Sequence, residues 1–197
     1  MAERGAYAKG IEKRNAILAT ALEVIAARGF HKTTVRDLAE AAGTSTSGLL
    51  HYFGTKEELF IEILRRRDAD AAAQEPPAVP GEIEGLIDIG RRNAEVPGLV
   101  QLYAQFSTAA AEEGHPARPY FQERFAEYRE RIGRMVVAEQ AAGRMPASLD
   151  PTRFATILAA VTDGLQTQWM LDESIDMSAH IRYLFELVGA DVEHGRS

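Results

Sequence analysis

Four apolar segments with helical spacing follow one another within the first 67 residues, and capping signals or glycines separate them. The first segment, residues 15–28, is apolar at every third or fourth position and is followed by Gly29, which suits a helix end. Residues 34–37 and 55–58 are capping boxes that predict the starts of the second and fourth helices, and Ser45 predicts the start of the third. Helices as short as the second and third need tertiary contacts, so we expect them to pack on the first and fourth. The predicted contact residues are Val35, Leu38, Leu49 and Phe53.

The remainder of the chain is also helical in pattern. Residues 74–81 are rich in proline and end with Gly81, which interrupts any helix and marks a linker. Five helical patterns follow, at residues 82–95, 97–113, 117–142, 150–171 and 177–188. We therefore predict an all-α fold of about nine helices, in which an N-terminal three-helix unit with a helix-turn-helix precedes a larger helical domain. The predicted domains are residues 1–67 and 68–197.

Composition excludes several classes of function. The chain has no cysteine, so disulfides, thiolate metal sites and cysteine nucleophiles are absent. No stretch approaches the roughly 18 apolar residues of a membrane span, and no signal peptide is recognisable, so we expect a cytoplasmic protein without a membrane partner.

The charge is distributed unevenly along the chain. The formal net charge is -7, yet residues 1–67 contain 11 Lys and Arg against 8 Asp and Glu, a net of +3, which leaves 11 against 21, a net of -10, for residues 68–197. A positive end on an acidic body suits phosphate contact at that end, although chance can also produce this asymmetry.

The turn between the second and third helices, at residues 42–45, combines a glycine with small residues, as in a helix-turn-helix. With one face of the third helix packed inward, the other face presents small hydroxyls, a glycine and a histidine. These residues are Thr44, Thr46, Ser47, Gly48 and His51. Small side chains allow a close approach to a DNA groove, and hydroxyls bond phosphate oxygens or base edges. The same pattern is also consistent with an ordinary helical hairpin that has a polar outer face.

The third helix lacks the Arg, Lys, Asn and Gln side chains that usually recognise a base edge through two hydrogen bonds. Methyl contacts and DNA shape would then carry more of the sequence discrimination, with help from a basic N-terminal arm. The arm contains Arg4, Lys9, Lys13 and Arg14.

These features belong to a longer motif. Residues 35–43 read VRDLAEAAG, Ser45 follows, and residues 49–59 read LLHYFGTKEEL, with Gly29-Phe30 and Thr33-Thr34 upstream. This motif, which covers about residues 15–64, closely resembles the DNA-binding signature of the TetR family of bacterial transcription repressors. Near the C-terminus, Leu149-Asp150-Pro151 and Asp163-Gly164-Leu165-Gln166 with Trp169 are similar to the penultimate helix of many members.

The resemblance implies a ligand-responsive transcription regulator, a repressor that a small, largely apolar effector releases from a pseudo-palindromic DNA operator, with no cofactor. It implies that Thr34 and Lys56 contact phosphates and that the third helix faces the major groove. The predicted DNA-binding residues are Thr33, Thr34, Thr44, Ser45, Thr46, Ser47, Gly48, His51, Tyr52 and Lys56. One departure stands out: members usually have an aromatic residue before the matched histidine, whereas this chain has Leu50, which cannot hydrogen-bond phosphate.

The resemblance also implies a homodimer in which the last two long helices pair with their copies. The residues predicted for that interface are Ile157, Val161, Leu165, Ile181, Leu184, Phe185 and Val188, although such apolar stripes are equally typical of a protomer core. An effector pocket is predicted among the aromatic residues of the larger domain, most of which we expect to be core. Its candidate residues are Tyr103, Phe106, Phe121, Phe125, Tyr128, Asp163, Gln166 and Trp169.

Other readings of the sequence are weaker. Residues 43–48 have the glycine spacing of a phosphate loop, but Leu49 stands where that loop needs a lysine. The five histidines show no spacing typical of metal ligands, and no nucleophile motif is present, so we predict neither a metal site nor an enzyme. The alternative function that remains is a helical small-molecule-binding or sequestering protein with a vestigial DNA-binding unit.

Overall fold

The computed structural model describes residues 2–74 and 82–189. Within these ranges it contains nine α-helices and no strand, which confirms the predicted all-α fold. The helices are α1 (Ala2–Arg28), α2 (Val35–Ala41), α3 (Thr46–Phe53), α4 (Lys56–Gln74), α5 (Glu82–Ala94), α6 (Pro97–Ala109), α7 (Arg118–Ala141), α8 (Pro151–Leu171) and α9 (Met177–Leu187). None of the described helices has an apolar stretch long enough to cross a bilayer. The predicted linker, apart from Gln74, lies outside the described residues.

Side-chain caps determine where the short N-terminal helices begin. Thr34 Oγ1 accepts a hydrogen bond from Asp37 N at 3.2 Å, and the Asp37 carboxylate accepts one from Thr34 N at 2.8 Å. The capping box at residues 55–58 has the same two hydrogen bonds. Ser45 Oγ accepts from Gly48 N at 3.0 Å and so caps α3. The three predicted starts of helices α2, α3 and α4 are therefore confirmed.

Two predicted boundaries are wrong. Helix α1 begins at Ala2 rather than near residue 15, so the basic segment predicted to be an arm is helical. Its alanines, glutamates and lysines favour helix strongly enough to extend it through Gly10. Helix α6 ends at Ala109 rather than at residue 113, because Ala111 N and Glu112 N donate to the carbonyls three residues back and so form turns instead of further helix.

The described chain divides into two compact units, of which the first contains α1 to α4 and α6. Leu38, Leu49 and Phe53 are buried, as predicted, whereas Val35 is only partly buried. Helix α6 crosses α1 at Gly98, where an added Cβ would lie 2.1 Å from Ile25 O, so only a glycine permits this close approach.

An aromatic cluster completes the core of the first unit. The Phe30 ring centroid lies 5.1 Å from that of Phe60 and 6.3 Å from that of Phe106, and the Phe60 and Phe106 centroids are 5.8 Å apart. The rings come from the end of α1, from α4 and from α6, so the cluster joins α6 to the helices that support the helix-turn-helix.

The second unit contains α5 and α7 to α9. Helix α5 packs against the start of α9 at Gly90, where an added Cβ would lie 2.8 Å from Ser178 N. Ser178 Oγ donates to Ile87 O at 2.9 Å, which strengthens that contact. The Phe154 and Phe185 rings pack with their centroids 5.5 Å apart and join α8 to α9 in the core. These units describe packing, and the functional boundary between residues 67 and 68 remains a prediction.

Candidate nucleic-acid interface and effector site

Helix α3 has one buried face and one exposed face. Leu49 and Phe53 are buried, whereas Thr46, Ser47 and His51 are exposed on the other side. Because α3 begins immediately after a short turn from α2, its N-terminal residues project away from the supporting helices, as groove recognition requires. The small side chains on this face leave the backbone open to close approach.

Intramolecular contacts orient the residues around the start of α3. Ser45 Oγ lies 3.1 Å from Ser47 Oγ in addition to its capping bond. An added Cβ on Gly48 would lie 2.6 Å from Thr44 Oγ1, so the glycine gives the partly buried Thr44 hydroxyl its position. At the other end of the helix, the His51 and Tyr52 rings meet edge to face with centroids 6.0 Å apart, and Tyr52 is 37% exposed.

The two threonines before α2 differ in their availability to DNA. Thr33 is 7% exposed, and its hydroxyl donates to Gly29 O at 2.8 Å, so its part in DNA binding stays a prediction. Thr34 is exposed, but its hydroxyl donates to the Asp37 carboxylate at 2.6 Å. A phosphate would have to replace that bond. The hydrogen bonds from the Thr34 side chain and backbone also hold the pKa of Asp37 below its usual range.

Lys56 is the first residue of α4 and is exposed. Its ammonium group lies 5.8 Å from the centroid of the Phe60 ring, so the stem of the side chain follows α4. Backbone N–H groups at a helix start carry a partial positive charge, and a cation there adds to it. The geometry suits a phosphate contact.

Sequence reasoning missed further cations near this surface. All four lysines of the chain lie within the first 56 residues, at positions 9, 13, 32 and 56, which is a signal that the overall net charge conceals. Lys32 and Arg36 are exposed beside the start of α2. Lys13 Nζ instead donates to Ala42 O at 3.2 Å and so caps the end of α2.

The predicted pocket residues fall in both units. Tyr103 and Phe106 are buried in the first unit, whereas Phe121, Phe125, Tyr128, Asp163, Gln166 and Trp169 belong to the second. That all eight line one pocket remains a prediction. In the second unit, burial raises the pKa of the Tyr128 phenol, which hydrogen-bonds Thr162, so the phenol is neutral at ordinary pH.

The predicted interface residues divide into two groups. Phe185, Ile181 and Leu165 are 0%, 2% and 7% exposed within the protomer, so they are core residues with little surface left to bury against a partner. These three residues fit the protomer-core alternative, which apolar periodicity cannot separate from an interface when both faces of a helix are apolar. Ile157 is 52% exposed, and Val161, Leu184 and Val188 are partly exposed, so their place in an interface remains a prediction.

Further exposed apolar side chains lie on the same two helices. Leu171, Leu187 and Tyr183 are 87%, 63% and 58% exposed. On α8, positions 157, 161, 164 and 171 share one face by helical spacing, and this face is distinct from the buried one. Among the residues that the structure describes, no group of three or more His, Cys, Asp or Glu side chains could hold a metal ion.

Comparisons with known proteins agree with this arrangement. The family model for bacterial regulatory proteins of the tetR family matches residues 17–63, and the model for the C-terminal domain of BetI-type transcriptional repressors matches residues 93–188. The HTH-type transcriptional regulator RutR of Escherichia coli is 46% identical over 54 residues, which are 27% of this chain and 26% of RutR. The chain therefore matches about a quarter of that relative's length.

Solved structures match nearly the whole chain. A TetR-family transcriptional regulator from Rhodococcus sp. is 26% identical, with a TM-score of 0.66 over 91% of this chain and 99% of that one. A transcriptional regulator from Saccharomonospora viridis in complex with choline is 25% identical, with a TM-score of 0.69 over 92% of this chain and 99% of that one.

Proposed function

Since the chain belongs to the TetR family of bacterial transcription regulators, we propose that it binds operator DNA as a homodimer and releases it when a small molecule binds. Within this proposal it acts in the cytoplasm, by binding rather than by catalysis, and its default role is repression. The observation that carries the proposal is the exposed polar face of α3, which is held in place by a buried face and by the Ser45 cap.

The DNA contacts in this proposal are of two kinds. Thr44, Ser45, Thr46, Ser47, Gly48 and His51 face the major groove, where hydroxyls, the imidazole and close backbone approach give a modest sequence readout. Lys56 and Tyr52 flank this surface and contact phosphates. The net positive segment, residues 1–67, then meets the DNA, whereas the acidic remainder of the chain, residues 68–197, is repelled by it.

The two-fold symmetry of the proposed dimer determines the symmetry of the operator that it binds. In the proposed dimer the exposed faces of α8 and α9 pack against their copies, which buries apolar side chains such as Ile157 and Leu187 that are otherwise in water. Two recognition helices related by a two-fold axis read half-sites about one helical turn, roughly 35 Å, or somewhat more apart. The operator is therefore a pseudo-palindrome.

Effector binding in the helical domain is proposed to shift α4 and so change the separation of the two recognition helices. A coupling of about 1–3 kcal/mol would lower operator affinity roughly 5- to 150-fold, which is enough for a switch. The effector is small and largely apolar. Choline is the cationic compound to compare with neutral ones, because the Saccharomonospora viridis relative was solved with it.

Footprinting of the purified protein on the intergenic DNA upstream of its own coding region tests the proposal. The expected result is a palindromic protected region whose affinity falls with salt. Because each phosphate contact adds about 0.9 to the slope of log affinity against log salt, Lys56→Ala in both protomers lowers that slope by about 1.8. Lys56→Arg should restore most of it.

Arg129→Ala is the matched control, since Arg129 is an exposed cation on α7 outside the proposed interface. It should leave affinity and slope unchanged. Thermal unfolding of both variants checks that the fold is intact. Absence of a specific footprint at low salt would overturn the proposal and favour a small-molecule-sequestering protein whose helix-turn-helix no longer binds DNA.

A further inference from the structure

We propose that the Gln166 amide is the polar recognition group of a small-molecule site within the second unit, and that this site takes a neutral hydrogen-bonding ligand with an apolar ring. The identification of that ligand with the effector rests on the proposed function. The existence of the site and its chemistry rest on the residues around Gln166.

Gln166 is a polar residue in an apolar setting. It is 7% exposed, and within the described part of the chain its amide makes no hydrogen bond. A glutamine amide has two donors and an acceptor, and a buried amide without partners destabilises the fold. Among the described residues, every side-chain nitrogen or oxygen fully sealed from solvent has a partner. The Gln166 amide is therefore not sealed, and it borders a space that water can reach.

The register of α7 against α8 shows what surrounds that space. Gln140, near the end of α7, donates to Leu149 O at 2.8 Å just before α8 begins. Earlier on α7, Tyr128 hydrogen-bonds Thr162, farther along α8. The two helices therefore run antiparallel. Gln166 lies one turn beyond Thr162 on the same face, so it is level with the turn of α7 that precedes Tyr128.

Aromatic side chains occupy that level. Phe125 lies one turn before Tyr128 on α7, and the Phe121 ring centroid is 6.3 Å from that of Phe125. Trp169 follows Gln166 by three residues on α8 and is 7% exposed. A neutral amide flanked by rings is the usual composition of a small-molecule site, in which apolar walls bind the body of the ligand and one polar group orients it.

The charges nearby favour a neutral ligand. The charges of Arg131 and Arg124 lower the pKa of the Tyr128 phenol, whereas the charge of Asp163 raises it. All three side chains also take part in further interactions. Because charges of both signs act here, neither a cationic nor an anionic ligand is clearly favoured, and burial of a charge costs far more than burial of a neutral group. A hydroxyl, carbonyl or amide can instead exchange hydrogen bonds with Gln166 directly.

Trp169 gives a direct readout, because it is the only tryptophan in the chain and lies one helical turn from Gln166. The experiment titrates three ligands of similar shape, benzyl alcohol, toluene and benzyltrimethylammonium, and follows the emission of Trp169. The variant is Gln166→Met, which keeps the volume and removes the hydrogen bonds. Gln105→Met, at an exposed position of α6 outside both the proposed site and the proposed dimer face, is the control.

The expected result is saturable binding of benzyl alcohol to the wild type, tighter than that of benzyltrimethylammonium. Gln166→Met should weaken benzyl alcohol about 5- to 10-fold, which is the loss of one neutral hydrogen bond, and leave toluene unchanged. The variant without ligand should unfold at no lower a temperature than the wild type, because the amide makes no hydrogen bond within the described residues that its removal could break. Gln105→Met should behave as the wild type.

Three results would overturn the inference: no saturable response to benzyl alcohol, equal affinity in wild type and Gln166→Met, or a lower unfolding temperature of that variant. None of these measurements requires DNA. Intact ligand selectivity with no operator footprint would contradict the proposed function alone, whereas an intact footprint with no dependence on Gln166 would contradict this inference alone.

Discussion

Replacement of Gly164 by alanine distinguishes a free face of α8 from a face that packs on a second protomer. Within the protomer, a Cβ at Gly164 would meet nothing within 4 Å. Alanine in a helix interior is more favourable than glycine by about 1 kcal/mol, so Gly164→Ala should stabilise an isolated protomer by that amount. The position nevertheless shares a face with Ile157 and Val161, where the proposed partner helix crosses.

In the proposed dimer, two additional methyl groups would enter that crossing. Overpacking costs about 1–3 kcal/mol per site, so the two together should weaken dimerisation by about 2 kcal/mol or more. This corresponds to a roughly thirtyfold or greater rise in the dissociation constant of the dimer. Sedimentation equilibrium measures that constant, and urea unfolding at several protein concentrations measures the stability of the protomer and the dimer.

Gly85→Ala is the matched control. Gly85 lies in the interior of α5, is exposed, and likewise has nothing within 4 Å of a Cβ, so its replacement should give only the helix stabilisation. If Gly164→Ala stabilises the protein as much as Gly85→Ala does and leaves the dissociation constant unchanged, no partner helix approaches Gly164 and the proposed packing of the dimer is refuted.

Two further predictions concern stability. Phe185 is 0% exposed, so Phe185→Ala should destabilise the protomer by about 3–5 kcal/mol in urea unfolding. Ile157 is 52% exposed, so Ile157→Ala should leave the protomer intact and weaken dimerisation. Similar unfolding curves for the two variants would contradict the division into core and surface. The pKa of Asp37 is lower in the folded than in the unfolded protein, so its bonds to Thr34 add stability above the unfolded pKa of about 3.9. That stability is lost as the pH falls through the folded pKa. Asp37→Asn should therefore flatten the acid side of the curve of stability against pH, and an unchanged curve would count against the capping box.

Much of the first unit could be predicted from the sequence because its signals are local. A capping box is complete within four residues, so residues 34–37 and 55–58 define helix starts without any knowledge of the fold. Gly29 and Gly54, with φ of +82° and +86°, end helices for reasons contained in their own backbone. The exposed face of α3 followed from the apolar residues on its other side.

Predictions from longer patterns were less complete. The start of α1 was misplaced because amphipathic spacing fades toward its N-terminus while helix propensity continues. That the Thr33 hydroxyl bonds Gly29 O could not be predicted, since nothing in the sequence indicates it. The cations Lys32 and Arg36 were missed because a count of charges does not show which of them are exposed beside the start of α2.

The sequence alone determined the helical class, the ends of the short helices and the polar composition of α3, because each depends on residues within one or two helical turns. Only the tertiary structure decided which face of each apolar helix is buried. Phe185 and Leu187 look alike in sequence, yet one is 0% and the other 63% exposed. It also decided that Gln166 is only 7% exposed, although its amide makes no hydrogen bond within the described residues. Burial is a property of everything packed around a residue, and those neighbours come from distant parts of the chain.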